Sequence, residues 1–197
     1  MDPAEFRCNW LSKDQIWARA DEVRARFWSE NSLPVNVEEI IEFRLELVIY
    51  PQYGLLSQID VDAYLREDLS GIVVDHDCYM NEKFANRLRF SYAHELGHYF
   101  QHDYIYKNMN FESSEQWKRF VLQIPDDQYG NFEYQANEFA GRLLVPRGEL
   151  IGQIEKATEY LRKNNLTRYL EDNPDAVLSS ISPLISRQFG VSSGVIE

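Results

Sequence analysis

The segment H-E-L-G-H, from His94 to His98, constrains the fold more than any other feature of this chain of 197 residues. Each residue of an α-helix turns by about 100° and rises by about 1.5 Å, so the two histidines lie one turn apart on one face. Two imidazoles placed in this way can bind one tetrahedral metal ion. Glu95 lies on the same side and can reach a water on that ion without being a ligand. The motif therefore predicts a helix at residues 84–103 that carries a catalytic metal site.

Two histidines on a solvated helix face would show the same spacing. A second segment is therefore needed to distinguish a metal site from two surface histidines. Glu133 and Asn137 lie four residues apart and share one face of another predicted helix, while Ala136, Ala140 and Gly141 are small. Small residues let two helices approach closely, as a metal shared between helices requires. Glu133 is the candidate third ligand, and Asn137 is the candidate for holding a ligating imidazole by a hydrogen bond.

His102 extends the histidine stripe by one more turn. On a straight helix it lies about 12 Å from His94 along the axis, so three imidazoles cannot converge on one ion. Families that use a third histidine place it beyond a glycine that turns the chain back, and residues 99–101 contain no glycine. We expect His102 to pack, or to form a hydrogen bond near the helix end.

Composition narrows the class of protein. Hydrophobic residues make up 44% of the chain, as in ordinary globular proteins, and no apolar run is long enough to span a membrane. The net charge of −12 argues against direct binding of nucleic acid, which needs a basic face. The only cysteines, Cys8 and Cys78, are too few for a disulfide framework, and the N-terminus lacks an apolar signal segment. We expect a cytoplasmic protein with reduced thiols.

The remaining pattern alternates between helical and extended segments. Ser12 with Gln15 forms a capping-box pattern, and Asn36 begins a second, short helix. We expect further helices at residues 13–29, 131–145 and 149–163, strands at 47–50 and 71–74, a returning hairpin strand at 78–81 and an irregular excursion at 104–130.

These segments resemble the ImmA/IrrE-type zinc metallopeptidases. The matching stretches are R-F-S-Y-A-H-E-L-G-H (89–98), E-Y-Q-A-N-E-F-A-G-R-L-L-V-P (133–146), L-P-V-N-V-E-E-I (33–40), S-G-I-V-V (70–74) and S-R-Q-F-G-V-S (186–192). The resemblance extends over residues 12–197 and is weak at 104–130.

The resemblance implies an α+β fold with a zincin-like, gluzincin-type metallopeptidase core, in which a small twisted sheet packs on the active-site helix. The zinc metallopeptidase domain would span residues 12–165. Residues 175–197 would form the start of a small helical C-terminal module, with truncation at its end left open. The resemblance further implies Zn²⁺ as cofactor, His94, His98 and Glu133 as ligands, and Glu95 as the catalytic carboxylate.

The implied function is that of a site-specific endopeptidase, whose protein substrate is a helix-turn-helix transcriptional repressor. Cleavage would relieve repression in stress or mobile-element circuits. One alternative is a binding module that sequesters its partner without cutting it, and another is a toxin or sensor that borrows the domain. Glu95 favours the enzyme, because a scaffold needs no carboxylate there.

Two details of the chemistry follow from general mechanism. A donor should stabilise the oxyanion, and Tyr79, Tyr92 and Tyr99 are candidates, although packing is the simpler explanation for each. Peptides commonly add as a strand to a sheet edge. We expect residues 78–81 to form that edge.

Overall fold

The computed structural model describes residues 3–30, 32–109, 111, 114–164 and 173–196. Strands β1 (Val48–Gln52), β2 (Ala63–Leu65) and β3 (Gly71–Asp75) form a small sheet. The helices are α1 (Lys13–Phe27), α2 (Val37–Glu39, continued as a π-turn at Ile40–Arg44), α3 (Leu55–Ile59), α4 (His76–Tyr79), α5 (Ala85–Gln101), α6 (Asp103–Met109), α7 (Ser114–Val121), α8 (Asp126–Leu144), α9 (Arg147–Lys163), α10 (Pro174–Phe189) and α11 (Ser193–Ile196). The predicted α+β class is confirmed, and the predicted caps at Ser12 and Asn36 are present.

Strand β3 is the centre of the sheet and is buried along its whole length. It pairs in parallel with β1 and antiparallel with β2. A side chain at Gly71 would collide with the carbonyl oxygen of Val48, so glycine lets the two strands pair. The strand predicted at residues 47–50 lies at Val48–Gln52 and so includes Pro51. Because β1 is an edge strand, a residue without an N–H is tolerated there.

The prediction of a hairpin strand at residues 78–81 is wrong. Asp75 ends β3, and its carboxylate accepts hydrogen bonds from the backbone N–H groups of Asp77 and Cys78. This is a helix N-cap, so the chain turns into α4 instead of returning as a strand. The second edge of the sheet is β2, which the sequence pattern did not reveal.

Helices α5 and α8 pack against each other at Gly97. A Cβ added there would lie 2.9 Å from the Cα of Ala136, so the two backbones are in direct contact. Ala136 and Ala140 are fully buried, as expected of the small residues. Gly141 faces open space and plays no part in this contact. The close approach brings Glu133, one turn before Ala136, toward the histidines of α5.

The predicted irregular excursion at residues 104–130 is also wrong, because α6, α7 and the first turn of α8 occupy most of it. Aromatic side chains of these helices pack together. Tyr106 contacts Trp117, and Trp117 contacts Phe132 of α8. Burial of these rings outweighs the weak helical propensity of the segment.

The C-terminal piece is helical, as predicted, and joins the main hydrophobic core. Phe189 at the end of α10 is fully buried, and Arg89 of α5 donates a 2.6 Å hydrogen bond to the carbonyl oxygen of Gly190. The boundary predicted between the domain at residues 12–165 and the module at 175–197 falls largely on residues 165–172, which lie outside the described residues. Across the described ranges, no helix has the length and apolar character needed to cross a bilayer.

The helix contact makes a direct prediction. Gly97→Ala should lower the free energy of unfolding by about 1–3 kcal/mol, because the added methyl group forces α5 and α8 apart. Gly141→Ala is the matched control in the partner helix. It should raise the stability by up to ~1 kcal/mol, since alanine favours helix and the position is open. Urea unfolding measures both, and equal effects of the two substitutions would contradict the proposed contact.

Candidate metal centre

Three side chains from α5 and α8 form a cluster of possible metal ligands: His94, His98 and Glu133. The two Nε2 atoms lie 3.0 Å apart, and the Glu133 carboxylate oxygens lie 3.2 Å from His94 Nε2 and 3.7 Å from His98 Nε2. Two atoms that each bind a tetrahedral ion at 2.0–2.1 Å are roughly 3.3 Å apart. The observed distances bracket this value, so the residues fit a tetrahedral metal ion.

Each imidazole is also held through its second ring nitrogen. Nδ1 of His94 lies 3.0 Å from Oδ1 of Asn137, the residue predicted to hold an imidazole by a hydrogen bond. Nδ1 of His98 lies 3.0 Å from Nδ1 of His102. These contacts turn both Nε2 atoms toward Glu133.

In the absence of a metal, the ionisable groups of the cluster shift one another's pKa. Burial alone would lower the pKa of His94, but the hydrogen bond with Glu133 and the negative charge of Glu95 raise it to about 9. Burial lowers the pKa of His98 well below its usual value, and the nearby charge of His94 lowers it further. At neutral pH the metal-free cluster therefore holds a proton on His94, shared with Glu133.

Glu95 lies beside this cluster without belonging to it. The residue is only 7% exposed, and its Oε2 accepts a 2.7 Å hydrogen bond from the backbone N–H of Leu65 in β2. Burial raises the pKa of Glu95 to about 7, although the charge of His94 and the Leu65 amide lower it in part. A carboxylate with this pKa can both accept and donate a proton near neutral pH.

An open cavity of about 460 Å³ leads to the cluster. Strand β2 and the preceding residues form one wall, and α5 with its histidines forms the floor. The opposite wall is aromatic and comes from α6, α7 and α8, with Tyr106, Trp117, Tyr129 and Phe132. The cavity can therefore hold an extended chain beside the cluster, with an apolar side chain against the aromatic wall.

The tyrosines predicted as oxyanion donors, Tyr79, Tyr92 and Tyr99, do not line this cavity. Tyr79 lies on the exposed side of α4, and Tyr92 is fully buried in the core. Tyr129 lines the cavity instead, and burial together with its hydrogen bond to Glu133 raises its pKa, so the hydroxyl stays a donor. It lies four residues before Glu133, so helical spacing could have revealed it. No sequence pattern indicated that Leu65 contacts Glu95, because β2 comes near α5 only in the folded chain.

His102 does not join the ligand cluster. It is buried at the end of α5, and its Nε2 lies 3.2 Å from Oε1 of Gln135. Burial lowers its pKa to about 4, so the ring is neutral. The structure therefore places it as expected, in a hydrogen bond near the helix end.

The proton on His94 predicts how metal binding depends on pH. A metal needs the bare Nε2, so at pH 7–8 binding must release the proton from a group whose pKa is about 9. The affinity for Zn²⁺ should rise roughly tenfold per pH unit and level off near that pKa. Calorimetry at pH 7.5 in buffers of different ionisation enthalpy should show about one proton released. Binding without proton release would contradict this protonation state.

No curated protein and no solved structure matches the chain. A protein family matches at residues 79–197, namely Peptidase_M78, described as the IrrE N-terminal-like domain.

The matched region covers more than half of the chain and includes the whole of α5 and α8. It therefore contains the complete ligand cluster and Glu95, and it supports a protease-type function in general. The resemblance found in the sequence is confirmed: the chain belongs to the Peptidase_M78 family of IrrE N-terminal-like domains.

Proposed function

We propose that the chain is a zinc-dependent, site-specific endopeptidase that cleaves a helix-turn-helix transcriptional repressor and so relieves repression. The observation that carries the proposal is the position of Glu95. It is a buried carboxylate beside a cluster of two imidazoles and one carboxylate, at the floor of a cavity open to a sheet edge.

Zinc is the metal that best fits these donors. Two histidines and one glutamate are a ligand set of catalytic zinc sites, which leave the fourth position open. Bound zinc polarises the scissile carbonyl and activates the attacking water. His94, His98 and Glu133 would hold the ion, and Asn137 would orient His94.

Glu95 would act as the general base. Its carboxylate would take the proton of the attacking water and later deliver it to the leaving amine. The Leu65 amide holds one oxygen of this carboxylate at 2.7 Å and so orients it toward the cavity. Tyr129 replaces the earlier candidates as the donor for the oxyanion, because its neutral hydroxyl lies beside Glu133.

The substrate would bind as an extended strand along β2, rather than along residues 78–81. Asp62 and Arg66 use their backbone groups to bond β3, at Asp75 and Gly71. In an antiparallel pair these groups alternate in direction, so those of Ala63 and Leu65 face away from β3. The bond from Leu65 to Glu95 agrees with this direction. Because the Leu65 N–H is held by Glu95, a peptide would pair with the Ala63 groups and the Leu65 carbonyl oxygen and would pass beside the catalytic carboxylate.

The partner is proposed from the resemblance and from charge. A helix-turn-helix repressor carries a basic surface for DNA, which would be attracted to a chain of net charge −12. The same charge supports a protein substrate rather than direct contact with nucleic acid. We propose that this reaction takes place in the cytoplasm, in a stress or mobile-element circuit.

Glu95→Gln tests the function. Glutamine has nearly the same shape but cannot accept the proton, so the variant should bind zinc and fold normally while cleavage of the repressor is lost. The substrate for this assay is a helix-turn-helix protein encoded beside the gene, and cleavage is followed by mass spectrometry. Undiminished cleavage would exclude Glu95 as the base. A variant that no longer cuts but still relieves repression would favour the sequestering module.

A further inference from the structure

A chain of buried polar groups leads from His98 to the N-terminal segment. His98 Nδ1 lies 3.0 Å from His102 Nδ1, and His102 Nε2 lies 3.2 Å from Gln135 Oε1. Gln135 Nε2 then donates a 2.8 Å hydrogen bond to the backbone carbonyl oxygen of Asn9. The three side chains are buried, so water does not compete for these contacts.

The direction of every bond in this chain is fixed by its last member. The carbonyl oxygen of Asn9 can only accept, so the amide nitrogen of Gln135 must face it. This leaves the Gln135 oxygen facing His102, and that oxygen can also only accept. His102 must therefore carry its proton on Nε2.

His102 in turn determines which nitrogen of His98 carries the proton. His102 contacts an amide oxygen and an imidazole but no carboxylate through its ring nitrogens, and a buried imidazolium without a carboxylate partner is costly. The ring is therefore neutral, and its bare Nδ1 accepts the proton of His98 Nδ1. As a result Nε2 of His98 has its lone pair free, pointing at His94 and Glu133.

We propose that His102 and Gln135 are positioning residues, which use the Asn9 carbonyl to hold His98 in the tautomer that binds metal through Nε2. The inference rests on the proposed zinc site, because only a metal ligand needs that lone pair. It gives His102 a role that the sequence did not indicate, since packing would not depend on the direction of its hydrogen bonds.

The N-terminal segment is built to hold the Asn9 carbonyl in place. Phe6 and Cys8 are buried against the core. The Cys8 N–H donates to Gln128 Oε1 at 2.9 Å, and the Asn9 N–H donates to the Tyr104 hydroxyl at 3.0 Å. Residues that precede α1 therefore contribute to the metal centre through this chain of bonds.

Two substitutions at His102 separate positioning from packing. In His102→Asn the side-chain oxygen takes the place of Nδ1 and still accepts from His98, while the bond to Gln135 is lost, so this variant keeps only the acceptor. In His102→Phe the ring keeps its volume and its stacking on Phe132, but both nitrogens are lost. Zinc affinity, measured by competition with a chelator, should stay near wild type for the asparagine variant. It should fall roughly 10–100-fold for the phenylalanine variant, as for other groups that orient ligands.

The tautomers can be observed without metal. The chain has four histidines, so their ring nitrogens can be assigned by ¹⁵N NMR of the metal-free protein. We expect His98 protonated on Nδ1 and His102 protonated on Nε2. A proton on Nε2 of His98 would overturn the inference, as would equal zinc affinity in both variants. If the tautomers are as expected but wild-type protein refuses zinc, the proposed function fails and the positioning of His98 stands.

Discussion

Glu133 reaches the two histidines because α5 and α8 touch backbone to backbone at Gly97 and Ala136. The H-E-x-x-H helix supplies two imidazoles on one face, and no residue of the same straight helix can approach from the remaining direction. A second helix must therefore come within a few ångströms, which requires a glycine where the two meet. The cluster of His94, His98 and Glu133 therefore depends on this contact.

In the site that this packing creates, the protonation state of each ionisable group depends on its neighbours. Glu95 is buried, and burial raises its pKa, while the carboxylates keep His94 protonated when no metal is bound. An isolated buried charge would be costly, so the groups compensate one another. A divalent cation would replace the proton that His94 shares with Glu133. Its charge would balance those of the Glu95 and Glu133 carboxylates. The site is thus suited to a metal by its charges as well as by its distances.

Features set by local spacing could be predicted from the sequence. The stripe of His94 and His98, the shared helix face of Glu133 and Asn137, and the capping box at Ser12 each depend on residues about one turn of helix apart. Edge strand β2 could not be predicted, because it has three residues and is identified by its pairing with β3. The direction of the hydrogen bond at His102 is set by Asn9, which is distant in sequence, so spacing could place His102 but not assign its tautomer.

The proposed function requires that His94, His98 and Glu133 together hold one zinc ion. Native mass spectrometry of protein loaded with zinc and then dialysed tests this most directly, with Glu133→Ala measured beside the wild type and circular dichroism as the check on folding. We expect one zinc per wild-type chain and almost none in the folded variant, because two imidazoles alone bind weakly. A folded Glu133→Ala variant that keeps one tightly bound zinc, or a wild type that holds none, would contradict it.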